Sequence, residues 1–117
     1  MPRRVLIADD SAVARVTVAR RVRAAGLEVV ERDSVAAAST VDASTLACAL
    51  LDFDLGDGLG VDVATQLRAA AGALPIAFFT STTKGEVSDR TSAFGPVFTK
   101  PDELDLAIDW IERQSRG

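Results

Sequence analysis

An α/β fold, a doubly wound five-stranded parallel sheet of the (βα)5 type, is predicted by three observations. Residues 46–51 (Leu-Ala-Cys-Ala-Leu-Leu) and 5–8 (Val-Leu-Ile-Ala) are uninterrupted apolar runs, as strands covered on both faces require. Both runs end abruptly in carboxylates, Asp52 after the first and Asp9 with Asp10 after the second. Stretches of helical period separate these runs from three further strand candidates, and right-handed crossovers then leave little choice but a parallel sheet. At 117 residues the chain is long enough for one buried core and too short for two, so a single domain over 1–117 is expected.

After the strand at 5–8, Ser11 caps a helix. Its buried stripe is predicted as Ala14, Val18, Val22 and Ala25, with Arg20 and Arg23 on the far side and Gly26 as terminator. Those arginines read as a solvated face, or as a docking surface given their closeness to the acidic pair. Residues 28–31 suit an edge strand because its polar ends tolerate exposure, and 34–41 form a short alanine-rich helix.

The strand at 46–51 delivers Asp52 to the carboxyl edge, where open α/β sheets bind ligands. The following Gly56, Asp57, Gly58, Leu59, Gly60 loop leads into a helix marked by Val61, Ala64, Leu67 and Ala71, closed by Gly72 before Pro75. Residues 76–79 make the fourth strand and run into Thr80 and Ser81. Between 81 and 94 the chain is rich in small polar residues, so the helix at 86–93 is expected to be short or mobile.

Residues 96–99 form the fifth strand, ending at Lys100, and Pro101, Asp102 and Glu103 suit the first turn of a final helix. Leu104, Ala107, Ile108 and Ile111 face the core there. Leu106 and Trp110 form a second apolar pair on the side expected to meet solvent. Either a rotated helix buries them or they make a partner or dimer surface.

Composition removes several function classes. A net charge of −4 leaves no basic stripe for nucleic acid. The single Cys48 lies inside an apolar strand and reads as a small buried hydrophobe in a reducing compartment. Met1, Pro2, Arg3 and Arg4 precede only four apolar residues, too few for a signal peptide or membrane span, so a cytoplasmic location without membrane attachment is expected. The absence of histidine rules out His-based triads and HExxH zinc sites.

Four of the five strands thus deliver a polar group to one edge: Asp9 and Asp10, Asp52, Thr80, and Lys100. Two carboxylates about 4 Å apart repel by roughly 4 kcal/mol at an effective dielectric near 20, so three cannot stay ionised without a cation. Lys100 alone is too little. An all-oxygen acidic site suits a hard ion, and Mg²⁺ fits best because it keeps waters and leaves room for a phosphoryl group. Asp52 is then the nucleophile that forms an acyl phosphate, with Thr80 and Lys100 on its equatorial oxygens.

With those residues in order, the chain resembles the receiver domain of bacterial two-component response regulators, of the chemotaxis type and flavodoxin-like fold. The likeness spans essentially all 117 residues. It implies that Asp52 accepts a phosphoryl group from a phosphohistidine on a sensor histidine kinase or histidine phosphotransfer protein. It also implies that Asp10 and Asp52 bind Mg²⁺ directly, Asp9 acts through water, and Asp54 offers its backbone carbonyl. Backbone N–H groups of Ser81 and Asp54 are implied phosphoryl contacts, and the Lys100–Pro101 bond is implied to be cis. Such domains are not enzymes beyond slow self-dephosphorylation, which the family tunes at the positions of Asp54 and Thr82. They signal to a downstream partner or dimerise, here through the final helix and fifth strand.

Several positions depart from the family pattern. Val97 stands where an aromatic switch residue is expected, Gly56 replaces a usual proline, Ser81 a customary alanine, and Asp102 an apolar residue. Against the family pattern, the span from Thr80 to Lys100 is also about two residues short. Phosphorylation is therefore expected to persist while aromatic-switch signalling is lost or rebuilt.

Two rivals fit less well. Asp52, Phe53, Asp54 matches the DxD of haloacid dehalogenase-like phosphatases, yet there the DxD comes first in the chain, and no cap domain fits here. A phosphorylation-independent interaction module is motivated by the departures around Val97. A calcium loop starting at Asp52 fails because its twelfth position is Val63, and no Walker A sequence occurs.

Overall fold

The apolar runs become the middle of a five-stranded sheet in the computed structural model, which describes residues 4–81 and 84–116. Its strands are β1 (Arg4–Ala8), β2 (Glu28–Arg32), β3 (Leu46–Leu51), β4 (Ile76–Thr80) and β5 (Val97–Thr99). They lie in the order β2-β1-β3-β4-β5, every neighbouring pair parallel. This is the doubly wound fold expected, with β2 and β5 at the edges and the order reversing beside β1 and β3, where such sheets place their sites.

Alternation along each strand splits the core in two. Leu6, Ala8, Ala49, Leu51 and Phe78 point to one face, under α2 (Val35–Ala38), α3 (Gly60–Ala70) and α4 (Lys84–Thr91). Val5, Ile7, Cys48, Leu50, Ala77 and Phe79 point to the other, under α1 (Ala12–Ala24) and α5 (Leu104–Ser115). Among the described residues, no helix is long and apolar enough to cross a membrane.

Several elements differ from their sequence-based bounds. On α1 the buried positions are Val18, Ala19 and Val22, while Ala14 is half-buried and Ala25 is the exposed C-cap beyond the helix. Gly26 follows at φ +87, the left-handed conformation that ends helices. The helix expected over 34–41 is four residues long, because alanines supply propensity but little apolar surface. Ser34 caps it, and Ala43–Thr45 form a separate 3₁₀ turn. Ala71 is the C-cap of α3 rather than part of its stripe. Helix α4 starts and ends two residues earlier than the predicted 86–93, and Thr91 is buried with its hydroxyl on the Val87 carbonyl.

On α5, Trp110 is buried in the second core layer whereas Leu106 is 53% exposed. The rotated-helix explanation therefore holds for Trp110. Leu106 alone remains on the outer face.

Candidate functional site

Strand pairing brings the acidic residues together. The Asp52 amide donates to the Ala8 carbonyl at 2.8 Å, so the ends of β3 and β1 sit side by side. Asp9 extends the ladder on the other flank, its amide 3.0 Å from the Arg32 carbonyl. Carboxylate oxygens of Asp9, Asp10 and Asp52 all lie within 4.8 Å of one another. Asp9 and Asp52 are buried and Asp10 is exposed, so the cluster opens to solvent on one side.

The buried acids have defined partners. Asp9 accepts from the Ser11 amide at 2.9 Å and from Lys100 Nζ at 2.6 Å. Lys100 Nζ also lies 3.3 Å from Asp52 Oδ2, and 5.8 Å from the centroid of the Phe79 ring. The Thr80 hydroxyl is near enough to the Asp52 carboxylate to favour its charged form. Thr80, at the end of β4, is itself buried, and its carbonyl receives the Lys100 amide at 2.9 Å. The Lys100–Pro101 bond is cis, as the resemblance implied. Burial pushes the Asp52 carboxyl up to about 6, the Lys100 ammonium opposes this, and the Asp9 charge adds to the rise.

The surrounding loops are tied down by local turns and by contacts between elements. Asp57 reaches across to α2, its two carboxylate oxygens accepting the Val35 amide at 2.8 Å and the Ala36 amide at 3.1 Å. Those bonds hold its carboxyl below the usual range. Gly56, at φ +81, donates its amide to Asp54 Oδ1 at 3.0 Å, and the open side of Gly56 faces the Asp10 carboxylate. The Gly60 amide bonds the Phe53 carbonyl at 2.6 Å, and any Cβ at Gly60 would collide with the Asp52 carbonyl. Arg15 bridges the Asp9 carbonyl and Glu31.

Of the predicted site residues, Asp9, Asp10, Asp52, Thr80 and Lys100 thus converge. Asp54 and Ser81 are exposed beside them, and Thr82 lies outside the described residues. Three clustered carboxylates against one lysine, with no nitrogen or sulfur donor among them, form a donor set that suits a hard divalent ion such as Mg²⁺.

Comparison with known proteins bears on the fold and the family. The family model described as "Response regulator receiver domain" matches residues 5–99. No curated protein matches the chain. Among solved structures, the non-phosphorylated HemR receiver domain of Leptospira biflexa is 22% identical, with a TM-score of 0.86 over 97% of this chain and 94% of that one. The chemotaxis protein CheY4 of Vibrio cholerae is 20% identical, with a TM-score of 0.83 over 97% and 98%. A BeF3-activated DrrB receiver domain is 16% identical, with a TM-score of 0.86 over the whole of both chains. These identities speak for the fold alone. The family match covers most of the sequence, and the chain belongs to the response regulator receiver domain family.

Proposed function

We propose that the chain, acting as one cytoplasmic receiver unit over 1–117, takes a phosphoryl group onto Asp52 from a phosphohistidine. The donor is a sensor histidine kinase or histidine phosphotransfer protein. The observation that carries this reading is the gathering of three carboxylates within 4.8 Å, one of them on the strand end flanked by both Thr80 and Lys100.

In this reading the residues divide the work. An oxygen of Asp52 attacks phosphorus, the bond from phosphorus to the imidazole nitrogen breaks, and that nitrogen keeps the electron pair. The products are an acyl phosphate and a free histidine on the donor. Thr80 donates its hydroxyl, and Lys100 its ammonium, to the equatorial oxygens, with backbone N–H groups of Ser81 and Asp54 assisting. The carboxylates of Asp10 and Asp52 and the backbone carbonyl of Asp54 would hold Mg²⁺, with Asp9 supporting the site from behind. Bound there, Mg²⁺ supplies the positive charge that offsets both the clustered acids and the phosphoryl oxygens.

The chain is then a phosphoacceptor rather than an enzyme, signalling through protein contacts at α5 and β5. Intact mass after incubation with acetyl phosphate and Mg²⁺ tests this: one phosphoryl is expected on the parent and none on Asp52→Asn. An unmodified parent would favour the phosphorylation-independent interaction module, the reading that Val97, in place of an aromatic switch, supports.

A further inference from the structure

The Asp9–Asp10 peptide leaves β1 with its carbonyl no longer in the sheet ladder, and a side chain takes over. Arg15 Nη1 donates to the Asp9 carbonyl at 2.8 Å, while its Nε lies 3.3 Å from Glu31 Oε1 on β2. Glu31 is held in turn by Arg23 Nη1 at 3.2 Å. Arg15 and Glu31 side chains are only 19% and 26% exposed, so this fork is screened less than a surface ion pair.

Every polar group of Asp9 is now accounted for. Its amide bonds Arg32, its carboxylate bonds Ser11 and Lys100, and its carbonyl bonds Arg15. Asp10 is the exposed member of the acidic cluster, and it is joined to Asp9 by a planar peptide. Fixing the Asp9 carbonyl therefore fixes the plane from which Asp10 departs.

We infer that Arg15 is a positioning residue for the acidic cluster, setting the direction of Asp10 toward Asp52 through the Asp9 carbonyl. The inference rests on the Mg²⁺-binding reading of the cluster. It carries a sign that separates it from plain electrostatics. Removing a cation near three carboxylates should by Coulomb's law strengthen Mg²⁺ binding. Loss of positioning should weaken it, as loss of the outer partners of metal ligands does.

Calorimetric titration with Mg²⁺ of the parent, Arg15→Met, Arg15→Lys and Arg23→Met decides between them. Arg15→Met keeps the apolar stem and is expected to bind about tenfold more weakly. Arg15→Lys, able to reach one acceptor but not both, should fall between, and it serves if Arg15→Met fails to fold. Arg23→Met loses the same charge and a Glu31 contact without touching Asp9, and should bind like the parent. Equal or tighter binding by Arg15→Met, or weakening by Arg23→Met to the same extent, overturns the inference.

Amide exchange of Ser11 in metal-free protein gives an independent readout, expected to be faster in Arg15→Met at unchanged global stability. A parent that takes up no Mg²⁺ sinks the proposed function instead. The exchange result then stands alone, and unchanged protection of Ser11 would refute the positioning role.

Discussion

Strands β1 and β3 pair over five positions and bury almost every side chain, whereas β5 pairs with β4 over three and leaves all three of its residues half-buried. The acids of the cluster leave the first pair, and Lys100 leaves the second. Negative groups are thus mounted on the deepest part of the sheet and the balancing cation on a shallow edge strand. Local opening is least costly where few apolar contacts are buried. The position of the cation is accordingly easier to change than the spacing of the carboxylates.

The largest test of this contrast uses two glycines. A Cβ at Gly60 would collide with the Asp52 carbonyl, and one at Gly95 with the Ile76 carbonyl at the far end of the sheet. Each alanine substitution is expected to cost about 3 kcal/mol or more, read by urea unfolding. Only Gly60→Ala should also lose Mg²⁺ binding in its folded fraction. Equal loss of binding in both variants would break the distinction between the two halves.

Lys100→Met leaves Asp9 and Asp52 buried without their ammonium partner, and metal-free protein should lose about 3 kcal/mol. Mg²⁺ should restore part of that loss. An unchanged unfolding midpoint would mean that the strand β5 cation contributes nothing to the acids.

The pH dependence is smaller and has a definite sign. Asp52 titrates at about 6 in the fold against 3.8 as the ordinary value, so the native state holds an extra proton between them. Its contribution to stability is intact below the unfolded value and is lost as pH rises through 6. Metal-free Asp52→Asn should therefore match the parent near pH 3.5 and exceed it at pH 7 by about 2 kcal/mol, the roughly 3 kcal/mol of the full shift being reduced by solvent screening. A constant difference across that range would contradict the burial argument. Smallest of all, Leu106→Ser on the outer face of α5 should shift stability by less than about 0.5 kcal/mol. A larger loss in thermal unfolding would place Leu106 in a contact between copies.

How much was legible in the sequence follows the same division. The runs at 5–8 and 46–51 needed no tertiary information, since uninterrupted apolar strands suit only the interior of a parallel sheet. Their terminal aspartates came with them, and Thr80 and Lys100 came with the runs at 76–79 and 96–99. Helix limits were less legible. Ala-rich 34–41 has propensity without much surface to bury, and α2 stops after Ala38. Trp110 counts as core only once α5 is rotated onto β3 and β4. Arg15 on Asp9 and Asp57 on α2 were invisible, because each joins groups that no periodicity relates. Side-chain to backbone bonds between different elements leave no local pattern.

Cys48 lies fully inside β3, 3.9 Å from the Ser115 hydroxyl, and its thiol is pushed up to about 12 by burial. In the folded protein it stays protonated and shielded, and so resists maleimides, iodoacetamide and peroxide. A reporter dye can therefore be attached at a newly introduced surface thiol, on α4 or α5 for instance, without first removing the native one. Any modification that does reach Cys48 becomes a count of molecules that have come apart.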